Sequence, residues 1–417
     1  MSDSCFERGE RMLSVDDAAA ALRELTPHPL ATERLPLASL LGRVVAEDIH
    51  SPINVPQNTN AALDGIALAW SSATQTRLEV IGESLAGQRY EGKITEGQAV
   101  AITTGAPLPA GADTVIMQEQ LAFGGDAGNS WVEIQRPKAV KQGQNVRMAG
   151  EDIARNALAL AAGTRLKAQH LGLLASLGCD GAVVYRRPNV AIFSTGDEVT
   201  APGTPLPQDG IYDANRFSLH GLLVSLGCNV VDLGILSDEP GQVEQALMTA
   251  ADEADMVITS GGVSVGQADW IKHALHDAGR LCFWRIAMRP GKPLACGVLG
   301  KREVPFFGLP GNPVAVMVTF LQFVQPLLRT MQGEMAWRQP RLVAVADDYL
   351  SSREGRVDYL RGVYACDDQG QLHVRSTGQQ GSGILTSMVA ANCLIEIDTA
   401  RSMVKPGETV TIQPFES

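Results

Sequence analysis

The chain has 417 residues, 45% of them hydrophobic, and a formal net charge of −12. At about 150 residues per domain this length predicts two to four domains, with apolar residues enough for more than one core. The acidic balance excludes a general nucleic-acid binder, and it requires that any anionic substrate be held by a local cluster of cations or by metal ions.

In chain order, a helix opens at Ser14, where Ser14 and Asp17 have capping-box spacing ahead of Ala19, Leu22 and Leu25. From about 50 to 150, short alternating runs (Leu78–Ile81, Ala99–Ile102, Thr114–Met117, Trp131–Ile134) separated by Gly and Pro turns predict a small β domain. Within it Phe123–Asn129 reads as a hairpin tip. From 188 to about 330 the rhythm is strand, helix, strand. Val190–Phe193 is a buried strand, and the helix after Asp213 carries Leu219, Leu222, Leu223 and Leu226 on one face and stops at Gly227. A strand over Asn229–Leu236, a helix from near Pro240 and a strand over 255–259 follow, the alternation of a doubly wound α/β sheet. Val314 to Leu328 is the most apolar segment, but Thr319, Gln322, Gln325 and Pro326 interrupt it, so it reads as a core helix too short to span a bilayer. After Pro340 strands return at Leu342–Val345, Arg356–Tyr364, Leu372–Arg375, Leu394–Ile397 and Thr409–Ile412, predicting a small barrel or sandwich.

Cys5, Cys179, Cys228, Cys282, Cys296, Cys366 and Cys393 form no C-x-x-C pair and show no zinc-ligand spacing; they read as free thiols of a reducing compartment. The start, Met1 to Met12, lacks the apolar core of a signal peptide, so the expectation is a cytoplasmic protein without membrane contact.

Chemistry concentrates at three strand ends. Ser194-Thr-Gly-Asp-Glu198, Thr259-Ser-Gly-Gly-Val-Ser-Val-Gly266 and Gly308-Leu-Pro-Gly-Asn-Pro313 each follow a buried run, and ligands of such sheets lie outside the carboxyl ends of the strands. The glycines let backbone approach a phosphate or a flat ring, and Ser194, Ser260 and Ser264 add hydroxyls. No G-x-G-x-x-G follows the first strand and no Walker A run is present. Glu198, Asp238 and Asp269 all stand at strand-end loops. Singly, each is a helix cap or a solvated acid; converging, they would repel one another unless a hard cation such as Mg²⁺ sat among them. Pro290–Gly291 makes a tight turn that leaves Arg289 and Lys292 on one side, with Arg285 just before, which is either a solvated basic turn or an oxyanion site. His273 and His276 suggest no metal site. Asp64–Gly65 reads as a turn and Asp152 as a surface acid.

These loops, with Arg289-Pro-Gly-Lys-Pro293, Ala62-Leu-Asp-Gly65, Thr104-Gly-Ala-Pro107, Arg147-Met-Ala-Gly-Glu-Asp152 and Gly381-Ser-Gly383, resemble the signature motifs of the molybdopterin molybdenumtransferases. This is the MoeA family, which includes the E domain of gephyrin, and the resemblance runs from about residue 14 to 415. It implies an elongated connecting domain from 32–50 and 157–187 and a small β domain over 51–156. It also implies an α/β molybdopterin-binding domain from 10–31 and 188–337, and a C-terminal β-barrel domain over 338–417. It implies a homodimer that binds adenylylated molybdopterin and molybdate, cleaves the adenylyl phosphoanhydride with Mg²⁺, releases AMP and yields molybdenum cofactor. The implied catalytic residues are Asp64, Asp152, Glu198, Asp238 and Asp269, of which Glu198, Asp238 and Asp269 hold the metal. Substrate would be bound by Thr104, Arg147, Ser194, Gly196, Gly261, Gly262, Ser264, Arg285, Pro310, Gly311 and Pro313, and molybdate by Arg289, Lys292, Arg361 and Ser382. The partner subunit would supply Asp64, Thr104, Arg147 and Asp152. A molybdopterin adenylyltransferase and recipient molybdoenzymes are the implied protein partners. Two alternatives stand beside this reading, a pterin-binding adenylyltransferase and a gephyrin-like scaffold. The chain departs from the family at Ala61, Leu63 and Ile66, where serine, methionine and tyrosine are usual, and at Arg285 and Arg289, where many relatives have lysine.

Overall fold

The computed structural model describes residues 12–24, 29–126, 129–236, 240–261 and 279–415. They fall into two compact units, one of Met1–Arg34, Gly42–Ala46 and Val183–Ser417, the other of Leu35–Leu41 and Glu47–Ala182.

The first unit is built on a seven-stranded sheet. Its elements are β1 (Met12–Leu13), α1 (Val15–Glu24), β2 (Asn189–Thr195), α2 (Ala214–Ser225), β3 (Asn229–Leu236), α3 (Pro240–Glu253), β4 (Met256–Ser260), β5 (Gly279–Ile286), a short β6 (Met288–Arg289) that pairs elsewhere, β7 (Pro293–Leu299) and β8 (Val304–Leu309). The order is β1-β5-β7-β8-β4-β2-β3. Only β7 runs against the others. β2 shows why its sequence is continuously apolar. Val190 and Ile192 pack with Leu219 and Leu223 of α2 on one face, and Ala191 and Phe193 pack with Leu247 and Ala250 of α3 on the other. The Ser14 cap forms as expected, its Oγ accepting from Asp17 N at 3.0 Å. α2 ends in a Schellman motif: Cys228 N donates to Leu223 O, Gly227 N donates to Val224 O, and Gly227 takes φ +79°. The expected turn at Pro290–Gly291 lies between β5 and β7, whose antiparallel arm has no counterpart among the predicted strands.

A buried helix, α4 (Pro313–Met331), follows β8 and is longer than expected; its 19 residues have the length and hydropathy to span a bilayer. Burial decides its role, since Val314, Val318, Phe320, Phe323 and Leu327 all lie in the main core. A π turn over Phe320–Val324 leads into Gln325–Pro326, where proline has no N–H to continue the α ladder.

Five later strands, β9 (Leu342–Ala346), β10 (Val357–Cys366), β11 (Leu372–Ser376), β12 (Cys393–Ile397) and β13 (Thr409–Pro414), run β10-β11-β9-β13-β12, and β10 pairs again with β12 to close a five-stranded barrel. Leu360, Val374, Ile395 and Ile412 fill it. The opposite face of β10 places Tyr359 in the main core beside Leu394 and Met388, and β6 pairs in parallel with β10. The barrel therefore has its own core yet is stitched to the α/β layer.

The second unit carries a six-stranded sheet ordered Thr114–Met117, Gly65–Leu68, Gln98–Ile102, Leu78–Ser84, Asn129–Ile134, Leu121–Asp126, the last two being the expected hairpin. Ile66 and Ala61 are both wholly buried in its apolar clusters, so these two departures from the family pattern are packing positions. Gly65 is not a turn residue as expected. It opens a strand so tightly flanked that a Cβ there would lie 1.8 Å from Ile116 O.

Candidate active site

Because β2, β3, β4, β5 and β8 share a direction, their carboxyl ends lie along one edge of the sheet. The chain passes from β2 through α2 to β3 on one side, then through α3 to β4 on the other side of β2. That reversal makes the gap between the ends of β2 and β4 the topological switch point, where ligands of such sheets bind. Ser194 Oγ and Ser260 Oγ meet there, 3.2 Å apart. Ser194 also donates to Asp213 Oδ1 at 3.0 Å. Asp213 caps α2 by accepting from Arg216 N at 3.1 Å and binds Arg216 Nε at 2.8 Å, and Arg216 continues to Asp232. Burial alone would pull the Arg216 guanidinium down, but Asp213 and Asp232 hold it above its ordinary value. Asp213 is absent from the residues expected from sequence; the signal was an Asp just before a helix with Arg at its third position.

The loops of this edge are tied to one another. Gly261, at φ +90°, donates its N–H to Leu309 O at 3.2 Å, and a Cβ there would lie 2.9 Å from Thr195 O, so only glycine lets the three strand ends approach so closely. Asn215 Nδ2 donates to Gly311 O at 2.7 Å, and Val314 N donates to Ser382 O at 3.0 Å. Pro310 is buried, Gly311 is exposed, and Pro313 occupies the first turn of α4, whose N-terminal dipole opens on this loop. Three buried polar atoms around the switch point, Thr195 Oγ1, Thr259 Oγ1 and Asn215 Oδ1, have no partner among the described residues, which marks a polar place built for something else. Gly196 takes φ +128°, with the exposed Glu198 carboxylate folded against it. Asp238, Asp269, Gly262 and Ser264 lie outside the described residues, and among the described residues no three His, Cys, Asp or Glu side chains converge on a metal position.

The cations collect at the end of β5. Arg285 is exposed at its close, Arg289 lies on β6, and Ile286 N donates to Lys292 O at 2.9 Å to close the turn between them. Gly291 has φ +107°, and a Cβ there would lie 2.5 Å from Thr319 Oγ1 of α4, so this turn is pressed onto the helix. Lys292 is exposed and borders a cavity of about 240 Å³ that Arg353 and Arg356 also line. Arg361 of β10 is wholly buried, its Nε donating to Ser387 Oγ at 3.0 Å and its Nη2 to Gly381 O at 3.1 Å. Burial, and then the Arg289 charge, pull its guanidinium down to about 10, still a cation at neutral pH. Among the described residues no carboxylate pairs with Arg361; the one buried acid nearby, Asp358, lies 3.5 Å from Arg289 and 3.1 Å from Arg356. Ser382 enters through its carbonyl, whereas Ser387, which the sequence did not single out, supplies the hydroxyl on Arg361. A larger cavity of about 400 Å³ lies under α3 among Ala191, Leu233, Ala246 and Ala250, and its mostly apolar lining suits no anion.

In the second unit, Asp64 Oδ1 accepts from Thr104 N at 2.6 Å and from Thr104 Oγ1 at 2.7 Å, which holds its carboxyl below the ordinary range. Arg147 pairs with Asn60 on a two-residue strand, Asp152 N donates to Val55 O, and both side chains are exposed.

Known proteins resemble this arrangement along its whole length. Three family models match in succession: the MoeA N-terminal region (domains I and II) over 13–178, a probable molybdopterin binding domain over 191–330, and the MoeA C-terminal region (domain IV) over 343–415. A molybdopterin molybdenumtransferase of Haemophilus influenzae is 44% identical over 97% of this chain and 99% of its own. Gephyrin of Dictyostelium discoideum is 30% identical over 98% of this chain but 63% of its own length. The crystal structure of a molybdopterin biosynthesis moeA protein from Pyrococcus horikoshii OT3 superposes with a TM-score of 0.82 at 28% identity, covering 97% of this chain and all of that one.

Proposed function

The chain belongs to the MoeA family of molybdopterin molybdenumtransferases, enzymes of molybdenum-cofactor biosynthesis, and we propose that it transfers molybdenum from molybdate to adenylylated molybdopterin, cleaving the adenylyl phosphoanhydride and releasing AMP. The observation that carries this reading is a charge imbalance. In a chain of net charge −12, Arg289 acts on the charge of the buried Arg361, Lys292 follows in the same turn, and Asp358 is the buried carboxylate beside Arg289 and Arg356, leaving an excess of positive charge suited to a tetrahedral oxyanion.

At the same edge of the sheet, the switch point brings together the hydroxyls of Ser194 and Ser260, the left-handed glycines Gly196 and Gly261, and polar atoms of Thr195 and Thr259 that have no partner among the described residues, a polar setting suited to the pterin and its phosphates. Positioning and charge neutralisation of this kind supply most of the catalysis in phosphoryl chemistry. The exposed Glu198 carboxylate is a hard-oxygen donor at the same edge and, with Asp238 and Asp269, would hold Mg²⁺, which when bound neutralises phosphate oxygens. The proposal includes a homodimer in which the second copy supplies Asp64, Thr104, Arg147 and Asp152.

The test is AMP release from the purified protein given adenylylated molybdopterin and Mg²⁺, with and without molybdate. Molybdate-dependent release is expected. AMP formed equally without molybdate, or pterin bound with no AMP released, would overturn the reading.

A further inference from the structure

We propose that Asp358 is a positioning residue for the oxyanion site, holding the Arg289 guanidinium in the orientation from which it receives the anion. The inference rests on the oxyanion reading above. Asp358 is wholly buried in β10, and the parallel pairing of β6 with β10 sets it directly beside Arg289. Its Oδ2 lies 3.5 Å from Arg289 Nη2 and its Oδ1 lies 3.1 Å from Arg356 Nε. Among the described residues, none gives either oxygen a hydrogen bond of proper geometry. A carboxylate is kept in such a place only with cations beside it, because its desolvation is otherwise uncompensated.

The form of the pairing is informative. Attraction between Asp358 and Arg289 is Coulombic, so it fixes where the guanidinium lies without occupying its donors. The Arg289 side chain is 41% exposed while its partner has no exposure at all, so Nη2 faces the carboxylate while the side chain keeps surface that a ligand can reach. The two arginines of the cluster also repel each other. Asp358, in register with Arg289, offsets the charges of Arg289 and Arg356, the two cations it faces, and so steadies Arg289 against the repulsion of Arg361. Arg289 needs such an anchor because it is followed by the Pro290–Gly291 turn, whose glycine lies in the left-handed region at φ +107°.

A double-mutant cycle on the full-length protein tests this, reading molybdate affinity by titration calorimetry. Asp358→Asn should weaken molybdate binding about tenfold in the native background and have no further effect in an Arg289→Ala background, because the two act as one unit. Affinity for adenylylated molybdopterin should be unchanged, and Asp358→Glu should restore part of the loss. Equal losses in both backgrounds would make Asp358 a purely structural residue, and molybdate bound as tightly or more tightly by Asp358→Asn would make it a competing charge; either overturns the proposal. If the native protein binds no molybdate, the oxyanion reading fails on its own. The positioning claim is then decided by a crystal structure of Asp358→Asn, in which Arg289 must leave its place beside β10, and an unmoved guanidinium refutes it.

Discussion

Arg361→Met should lower molybdate-dependent turnover by at least about 100-fold while shifting stability by no more than about 2 kcal/mol. Arg361 is a wholly buried guanidinium with no carboxylate partner among the described residues, and both its burial and its neighbour Arg289 act against its charge. A buried charge of that kind costs stability, so an apolar side chain of similar volume recovers part of the desolvation energy. Against this stands the loss of donors to Gly381 O and Ser387 Oγ. Ser387 retains its own bond to Ile384 O, and the exposed Gly381 O still accepts from Ile384 N, which limits the damage to the lost charge-assisted bonds, about 1–3 kcal/mol before the desolvation gain. Thermal unfolding and turnover measured on the same preparation check both halves. A variant that melts far below the native protein yet turns over normally per folded molecule would make Arg361 structural.

Asp213→Ala is the complementary case, a large loss of stability from a residue that never reaches the substrate. One carboxylate serves the helix cap, the Arg216 side chain and the Ser194 hydroxyl, and it is 3% exposed. Removing it leaves Arg216 with Asp232 alone and releases Ser194 from its place at the switch point. We expect about 3 kcal/mol, the low end for breaking a buried pair since Asp232 remains, with the lost cap contributing about 1 kcal/mol of it. Urea unfolding midpoints of Asp213→Ala and Asp213→Asn would measure this, the Asn variant keeping the cap and losing the charge. A cost under about 1 kcal/mol for alanine would mean that water replaces the carboxylate and that Ser194 does not depend on it.

The strand ends were legible because local chemistry dictates them. Gly227 was readable as a helix stop and Ser14 as a cap because each acts on residues a few positions away, and the structure has both. The glycine loops after β2, β4 and β8 pointed to one edge because parallel strands deliver their ends to the same side. Burial and partnership over long separations were not legible. Nothing around Arg361 says that it is sealed from solvent, since its partners Ser387 and Gly381 lie far along the chain. Asp358 reads as an ordinary strand-edge acid until β6 is paired with β10. The β5–β7 arm was missed because its Gly279–Leu299 ladder closes through the Arg289–Lys292 loop and lacks a two-residue hairpin turn. The departures at Ala61 and Ile66 flank Asp64 in the sequence, and only the structure shows that their side chains are interior.

Diffraction at the molybdenum absorption edge from molybdate-soaked crystals locates the oxyanion site. An anomalous peak is expected at the end of β5, within hydrogen-bond reach of Arg289 and Lys292, and it should disappear in Arg289→Ala. A peak elsewhere in the molecule, or none at a molybdate concentration that saturates turnover, would contradict that placement.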